Sequence, residues 1–413
     1  MADPGPSRLF QRLDGFLFAG LLLLIALVLR DPDVKLAWRA ALLLFGVLSI
    51  GGWLVCRYFH WGDLHPTLRR MMFTAIVFVV IVVIASLSGS TLRLAPEHFF
   101  LGFLLPLLIP WLFVNHVRDR RRWEWVMATF VFAASLLLAR NFAQYVHELI
   151  VLGKIPEDIH LHRRFAVKLV FGLPFLLWFA LASRQRWVAM VGWALTILSM
   201  LMILATGSRG AWLGTIVVVL IFLGFLRSRH LLLGFFVGMA IVVIAGLAII
   251  PSELVQNRIQ QGMDTSNRTS GTWGPAVEMI RDRPLLGYGL GDDVFHEEFN
   301  RRSAMAEHWT IKKSIGPHSF FLALGFAAGL PALLILLILL GQTVWLVGRG
   351  AQSGVVAGGS DRSFALSGVA LTAAALGAYG VIGNVENLNW ILLWFWLGMS
   401  MVWLKLAASS SEP

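Results

Sequence analysis

The chain has 413 residues, of which 58% are hydrophobic and only 14% charged, and its mean hydropathy is +0.75. A soluble domain is about a quarter charged, so this composition excludes a soluble globular protein and predicts an all-α polytopic membrane protein. The formal charge of +11 does not indicate nucleic acid as a partner, because much of it lies in loops beside apolar segments. The single cysteine, Cys56, excludes an internal disulfide and a cysteine-based zinc site.

Twelve apolar windows of helical length follow one another along the chain. They centre on residues 14–29, 36–55, 71–88, 98–114, 123–140, 165–182, 187–206, 211–226, 231–250, 319–347, 364–382 and 390–405. We therefore expect about twelve transmembrane helices: helices 1–9 in residues 1–250, a loop domain in residues 251–317, and helices 10–12 in residues 318–413. The long window 319–347 fits either one tilted helix or a helix broken near Pro331.

The distribution of arginines predicts the orientation. No A-x-A-like cleavage site follows the first window, so we expect that window to be an uncleaved signal. With the N-terminus in the cytoplasm, most loop arginines lie on the cytoplasmic side: Arg57, Arg69, Arg70, Arg118, Arg120, Arg121, Arg122, Arg184, Arg186, Arg227, Arg229, Arg349 and Arg362. The asymmetry predicts a multi-pass protein with both termini in the cytoplasm. Two outward loops depart from the pattern: residues 141–164 contain Arg163 and Arg164, and residues 251–317 are unusually long and include an expected amphipathic helix at 270–280.

Arg209 stands in "TGSRGAWLG", where two apolar windows meet. Ser208 can cap the second helix, and a guanidinium beside a helix N-terminus forms a natural site for an anion such as phosphate. The alternative is an arginine that extends to lipid headgroups, and the local sequence alone favours this alternative.

Arg268 and His318 are two further outward residues with possible chemistry. Arg268 is predicted in the first turn of a helix that starts at Ser266 or Asn267, where a cation opposes the helix dipole and a nearby anion would explain it. The alternative is an ordinary surface arginine. His318 follows "GP" at the membrane boundary, where an imidazole can exchange a proton near neutral pH. The alternative is a histidine that only forms hydrogen bonds. "HELIV" and "HEEFN" lack the second histidine of a zinc motif, so we expect no metal site and no cofactor.

Four segments in order resemble the O-antigen ligase family: "TGSRGAWLG", "NRTSGTW", "AVEMIRDRPLLGYGLG" and "GPHSFFLALGFAAGLPALL". Related O-antigen polymerases share much of this pattern. The resemblance implies a GT-C-like, inverting, metal-independent glycosyltransferase of the bacterial inner membrane with a periplasmic active site. It implies a polysaccharide on undecaprenyl diphosphate as donor and the lipid A-core as acceptor, with membrane lipids as further partners and no nucleic acid.

The resemblance also implies roles for the outward residues. Arg209 and Arg268 bind the diphosphate, together with Arg163 or Arg164, and His318 is the general base. Outward acidic residues either orient His318 or bind sugars: Glu97, Asp158, Glu278, Asp292, Asp293 and Glu386. The alternatives are an O-antigen polymerase or another undecaprenyl-linked oligosaccharide transferase. A transporter is less favoured, because the apolar windows are nearly free of charge except for Lys168.

Overall fold

The computed structural model describes residues 8–29, 35–56, 65–153, 163–206, 208–226, 267–357, 362–384 and 390–409. Every regular element in these ranges is a helix. Ten of the described helices are long and apolar enough to cross a membrane, and a shorter apolar helix covers Leu36–Gly52. The prediction of an all-α polytopic membrane protein is therefore confirmed.

The α-helices follow the apolar windows closely. They are α1 (Arg8–Val28), α2 (Lys35–Cys56), α3 (Pro66–Ser88), α4 (Thr91–Leu94), α5 (Leu108–His116), α6 (Arg120–Val146), α7 (Arg163–Ala182), α8 (Arg186–Ala205), α9 (Arg209–Leu226), α10 (Trp273–Asp282), α11 (Asp292–Ser303), α12 (Phe320–Ala357), α13 (Arg362–Ala374) and α14 (Trp390–Ser409). Short π-helices cover His98–Leu104, His147–Val151, Asn267–Thr272 and Ala375–Val381, and 3-10 turns cover Leu105–Leu107 and Ile382–Asn384. Eleven of the twelve windows coincide with these helices, and the window 231–250 lies outside the described residues.

The long helix α12 is broken at Gly329, where φ is 76° and ψ is 177°. Of the two alternatives that the sequence left open, the broken helix is the observed one. Pro331 has no backbone N–H, so Ala327 O cannot receive its normal hydrogen bond; instead it accepts one from Gly289 N at 2.9 Å. Leu330 N donates to Pro284 O at 2.7 Å rather than to its own helix. Residues 284–291, here called the strap, therefore satisfy the polar groups that the break exposes.

Replacing Gly287 in the strap with alanine is expected to detach the strap from α12. Gly287 has φ +60°, and a Cβ there would lie 2.2 Å from the carbonyl oxygen of Phe326, so the backbone would have to move. We expect a loss of about 1–3 kcal/mol of stability, seen as a lower midpoint of thermal unfolding and faster proteolysis within residues 267–319. The matched control is Gly341→Ala, also on α12, where the new Cβ meets no neighbouring atom within 4 Å. Equal unfolding midpoints for the two variants would contradict this role of the strap.

The strap also contributes Tyr288 to a second, smaller hydrophobic core, which lies between residues 276–309 and α12. Tyr288 stacks on Phe326 with ring centroids 4.8 Å apart, and Arg302 donates to the Tyr288 hydroxyl at 2.6 Å. Arg302 and Arg301 also donate to Glu298. Burial raises the pKa of Glu298, but these hydrogen bonds outweigh it and leave that pKa below its ordinary value. The loop region is thus a packed, ion-paired layer fixed to the membrane helices.

The membrane helices alternate in direction, which assigns each helix terminus to one of two ends of the bundle. Short turns join α7 to α8 and α8 to α9, and α12 packs along α13. The starts of α7, α9 and α12 therefore lie at one end, which we call the Arg209 end. Asp14 near the start of α1 contacts His116 at the finish of α5, and these define the opposite, Asp14 end. Lys405 of α14 donates to Val114 O at the same Asp14 end.

Asp14 is the centre of a buried ionic cluster that the sequence analysis did not predict. Its side chain is 5% exposed, and its carboxylate lies 2.7 Å from Arg122 Nη1, 3.0 Å from Arg118 Nη2 and 2.8 Å from His116 Nδ1. His116 Nε2 in turn lies 2.7 Å from the Ser49 hydroxyl. The cluster joins α1, α2 and α5 with α6 and with Arg118, which lies just before it in the chain. Removing one member of such a buried ionic cluster is strongly destabilising, because it leaves the other charges uncompensated.

Replacing Asp14 with asparagine is expected to lower the stability of the bundle by about 2–4 kcal/mol, because His116, Arg118 and Arg122 all lose the buried carboxylate that they contact. The measurement is the midpoint of thermal unfolding in detergent. The matched change is Glu97→Gln, since Glu97 is a 71% exposed carboxylate paired with Arg39 at 2.5 Å. A surface pair contributes about 0–1 kcal/mol, so this control should barely move the midpoint. If Asp14→Asn lowers the unfolding midpoint no more than Glu97→Gln does, the cluster does not stabilise the bundle as proposed.

Candidate functional site

Arg209 is the first residue of α9 and follows a capped turn. The Ser208 hydroxyl accepts a hydrogen bond from Ala211 N at 3.4 Å, as the sequence predicted, and the Ser208 carbonyl accepts one from Trp212 N at 3.1 Å. Ser208 is buried, whereas Arg209 is exposed. Arg209 has no hydrogen bond or ion pair with another residue in the described ranges. An accessible guanidinium at a helix N-terminus is an arrangement that favours an anion.

The helix that carries Arg209 packs directly on the π-helix Ala375–Val381. A Cβ on Gly214 would lie 2.9 Å from Gly377 O, and a Cβ on Gly377 would lie 3.1 Å from Gly214 O. Two glycines thus bring two backbones together at this point. Because π-helical turns are frequent at functional sites, this contact marks the region around the start of α9 for closer attention.

His318 occupies a strained position just before α12. Its φ is +46°, and it is the one non-glycine residue with a positive φ among the described residues. Its side chain is exposed, between the buried residues Pro317 and Ser319. Ser319 caps α12 by accepting from Leu322 N at 3.3 Å. Strain held in place by neighbouring contacts is a feature that clusters at functional sites.

The helix that begins at Arg209 and the residue that follows His318 contact the same short segment. The Ser319 hydroxyl donates to Gly383 O at 3.4 Å, which fixes the residue after His318. One residue earlier in that segment, the side chain of Ile382 lies 3.2 Å from the position of a Cβ on Gly214 in α9. Residues 377–383 therefore connect the start of α9 with the start of α12. The structure brings the two predicted site residues to one end of the bundle.

Arg163 and Arg164 are the first two residues of α7, so their backbone also lies at the Arg209 end. Their side chains lie outside the described residues. Further along α7, Val170 contacts the same glycine pair: its Cγ1 would lie 3.2 Å from a Cβ on Gly214. The starts of α7 and α9 are thus neighbours across one contact.

Arg140, at the same end of α6, was not singled out from the sequence. Its guanidinium lies 5.9 Å from the ring centroid of Phe165, the residue after Arg164. In the sequence it is the last residue of the apolar window 123–140. That end of the window is predicted to face outward, so an arginine there departs from the positive-inside pattern and could have been identified from the sequence.

Arg268 lies in the π-helix Asn267–Thr272, which agrees with a helix start at Ser266 or Asn267. Its side chain lies outside the described residues. The backbone of this segment is held by the returning limb of the loop, because Thr310 N donates to Ser270 O at 3.1 Å. The backbone near Arg268 is therefore bonded to the segment that leads from α11 to His318, at the Arg209 end of the bundle.

Two of the acidic residues proposed as partners of His318 contact other side chains. Glu97 pairs with Arg39, and Glu278 accepts from Trp309 Nε1 at 3.0 Å and lies 3.0 Å from His308 Nε2. In the described part of the chain, His318 has no hydrogen bond or ion pair. Asp292 and Asp293 occupy the first turn of α11, and Asp158 and Glu386 lie outside the described residues.

Residues 194–337 match the family described as O-Antigen ligase. This range contains Arg209, Arg268 and His318 but not Arg163 or Arg164. A curated relative, the O-antigen ligase of Salmonella typhimurium strain LT2, is 31% identical over 252 residues. That match covers 59% of this chain and 61% of the relative, so the chain spans about three-fifths of the relative's length.

Proposed function

We propose, from the match of residues 194–337 to the O-antigen ligase family and the similarity to a curated O-antigen ligase, that the chain transfers O-antigen polysaccharide from undecaprenyl diphosphate to the lipid A-core. In this proposal the reaction takes place on the periplasmic face of the bacterial inner membrane, with both termini in the cytoplasm. The observation that carries it is that residues 377–383 contact both α9, which begins at Arg209, and Ser319, which follows His318. A guanidinium for the donor and an imidazole for the acceptor are thereby available at one end of the bundle.

Arg209 binds the diphosphate of the donor in this proposal. As the glycosidic bond breaks, negative charge builds on the phosphate oxygen that leaves, and a guanidinium can stabilise it with two parallel hydrogen bonds. Arg209 has no partner among the described residues that would compete for these bonds. Arg268 and one of Arg163 and Arg164 supply further positive charge, because their backbones lie at the same end.

His318 removes the proton from the acceptor hydroxyl in this proposal. The hydroxyl oxygen forms a bond to the anomeric carbon while the bond from that carbon to the phosphate oxygen breaks, and the electron pair leaves with undecaprenyl diphosphate. Attack on the face opposite the leaving group inverts the anomeric configuration. The exposed ring of His318 is accessible to a hydroxyl group of an incoming sugar.

The test uses purified protein, undecaprenyl-diphosphate-linked glycan and two rival acceptors in separate reactions. With rough lipopolysaccharide as acceptor, we expect glycan joined to the lipid A-core, and we expect the rate to persist in EDTA. Extension of a second molecule of donor instead would identify an O-antigen polymerase. Transfer to neither acceptor by folded protein, or loss of transfer in EDTA that added metal restores, would contradict the proposed reaction.

A further inference from the structure

Residues 281–286, the sequence "RDRPLL", form an exposed edge where the loop region meets the membrane helices. Leu285 is 69% exposed and Leu286 is 42% exposed, although the strap to which they belong is tightly hydrogen-bonded. Beside them on α12, Leu330 and Leu334 are 49% and 58% exposed. A Cβ on Gly329 would lie 2.3 Å from Leu285 O, so the two leucine pairs are close neighbours. Together they form one continuous apolar surface.

The height of this surface can be read from α12. The segment from residue 330 to residue 348 contains no charged side chain and ends before the exposed Arg349. Its 19 residues correspond to about 28 Å of helix, which matches the roughly 30 Å hydrocarbon layer of a bilayer. With Arg349 at one edge of that layer, Leu330 and the adjacent Leu285 lie at the other edge.

Two arginines lie just above the leucines. Ile280 packs on Gly325, which precedes the break at Gly329, so the end of α10 lies beside the part of α12 that leads to the Arg209 end. Arg281, the next residue, is exposed and has no hydrogen bond or ion pair within the described ranges. Arg283 is exposed, and its guanidinium lies 4.7 Å from the ring centroid of Tyr288.

We propose that residues 281–286 form a leaflet anchor that binds an anionic phospholipid of the bilayer at the Arg209 end. Leu285 and Leu286 enter the acyl-chain region, and Arg281 and Arg283 bind the lipid phosphate. Cations on the Arg209 side of apolar side chains match the order of headgroup and acyl chain in a lipid. The occupant is lipid because the surface continues the lipid-facing side of α12, and the charge of the arginines is complementary to phosphate.

This inference goes beyond the proposed transferase activity and does not depend on it. The strap connects the leaflet anchor to the break in α12, and that break lies between His318 and the rest of the helix. Binding of the leaflet anchor to lipid would therefore fix the distance of residues 267–319 from the membrane. The leaflet anchor would bind the membrane whichever lipid-linked substrate the protein uses.

The depth of the anchor is tested with site-specific labels in lipid nanodiscs. In a Cys56→Ser background, a fluorophore is attached after Leu286→Cys or, as the matched control, Met305→Cys; Met305 is a 74% exposed apolar residue after α11. We expect lipids that carry a quencher near the headgroup to quench the label at position 286 and not the label at position 305. Equal access of both labels to a water-soluble quencher would overturn the proposal. Shielding of position 286 by a second copy of the chain, seen as a crosslink between chains without lipid quenching, would also overturn it.

The role of the charge is tested separately with Arg281→Gln and the matched control Lys313→Gln, since Lys313 is an exposed cation in the same loop region. Protein reconstituted in phosphatidylcholine with an equal part of phosphatidylglycerol is analysed by native mass spectrometry for retained lipid. One cation near a membrane surface changes lipid binding by about fivefold, so we expect Arg281→Gln to retain about fivefold less phosphatidylglycerol. Lys313→Gln should retain the normal amount. The same retention in both variants would show that Arg281 does not bind the anionic lipid.

Discussion

Replacing His318 with alanine should lower the rate of transfer by roughly 10²–10⁴-fold, the range that a general base contributes. The protein should remain folded, because the His318 ring is exposed and makes no hydrogen bond within the described residues. The φ of +46° at this position costs an alanine some conformational free energy, although alanine can adopt it. The measurement is single-turnover transfer to rough lipopolysaccharide, together with the midpoint of thermal unfolding.

His318→Asn separates the loss of the base from the strain of the backbone. Asparagine tolerates a positive φ better than alanine, yet it cannot accept a proton near neutral pH. If His318 is the base, the asparagine variant should unfold at the wild-type midpoint and still transfer as slowly as the alanine variant. Recovery of full activity in the asparagine variant would show that His318 matters only for the backbone, and the mechanism would need another base.

The membrane helices were predictable because each one is a single apolar run, and the bilayer requires about the same length of every run. The break in α12 was not decided by its own sequence. Pro331 made a break possible, but the observed break at Gly329 depends on donors from the strap, whose Gly289 lies about forty residues earlier in the chain. The apolar pattern of residues 319–347 alone does not indicate a hydrogen-bond donor so far away in the chain.

The Asp14 cluster was missed for a related reason. A lone aspartate near the start of an apolar window is compatible with a solvated helix end, and its partner His116 lies 102 residues away. Arg118 and Arg122, which also contact Asp14, are explained in the sequence by the positive-inside pattern alone. The contact becomes apparent only when α1, α5 and α6 are brought together.

The candidate site was partly predictable, because some of its features are local. The cap of α9 by Ser208 connects residues three apart, so the sequence alone indicated it. The contact of residues 377–383 with α9 depends on Gly214 and Gly377, which are far apart in the chain. The sequence predicts that Arg209 and His318 face outward, and the packing joins α9 and Ser319 to one segment.

Replacing Arg209 with alanine should lower transfer by roughly 10²–10³-fold, as loss of one charge-stabilising donor does. Arg209→Lys should also fail to restore the rate, because an ammonium group cannot form the paired hydrogen bonds of a guanidinium with a phosphate. The matched control is Arg186→Ala. Like Arg209, Arg186 is the exposed first residue of a membrane helix, but it lies at the Asp14 end.

The comparison of the two arginines distinguishes chemistry from membrane anchoring. If Arg209 only extended to lipid headgroups, the Arg209 and Arg186 variants should behave alike, and lysine should replace Arg209 without loss, because both side chains reach the interface. If Arg209 stabilises the departing diphosphate, Arg186→Ala should keep nearly full activity while both Arg209 variants lose it. Single-turnover rates at saturating donor measure the chemical step itself. A normal rate for Arg209→Lys would therefore favour the anchoring role and remove Arg209 from the mechanism.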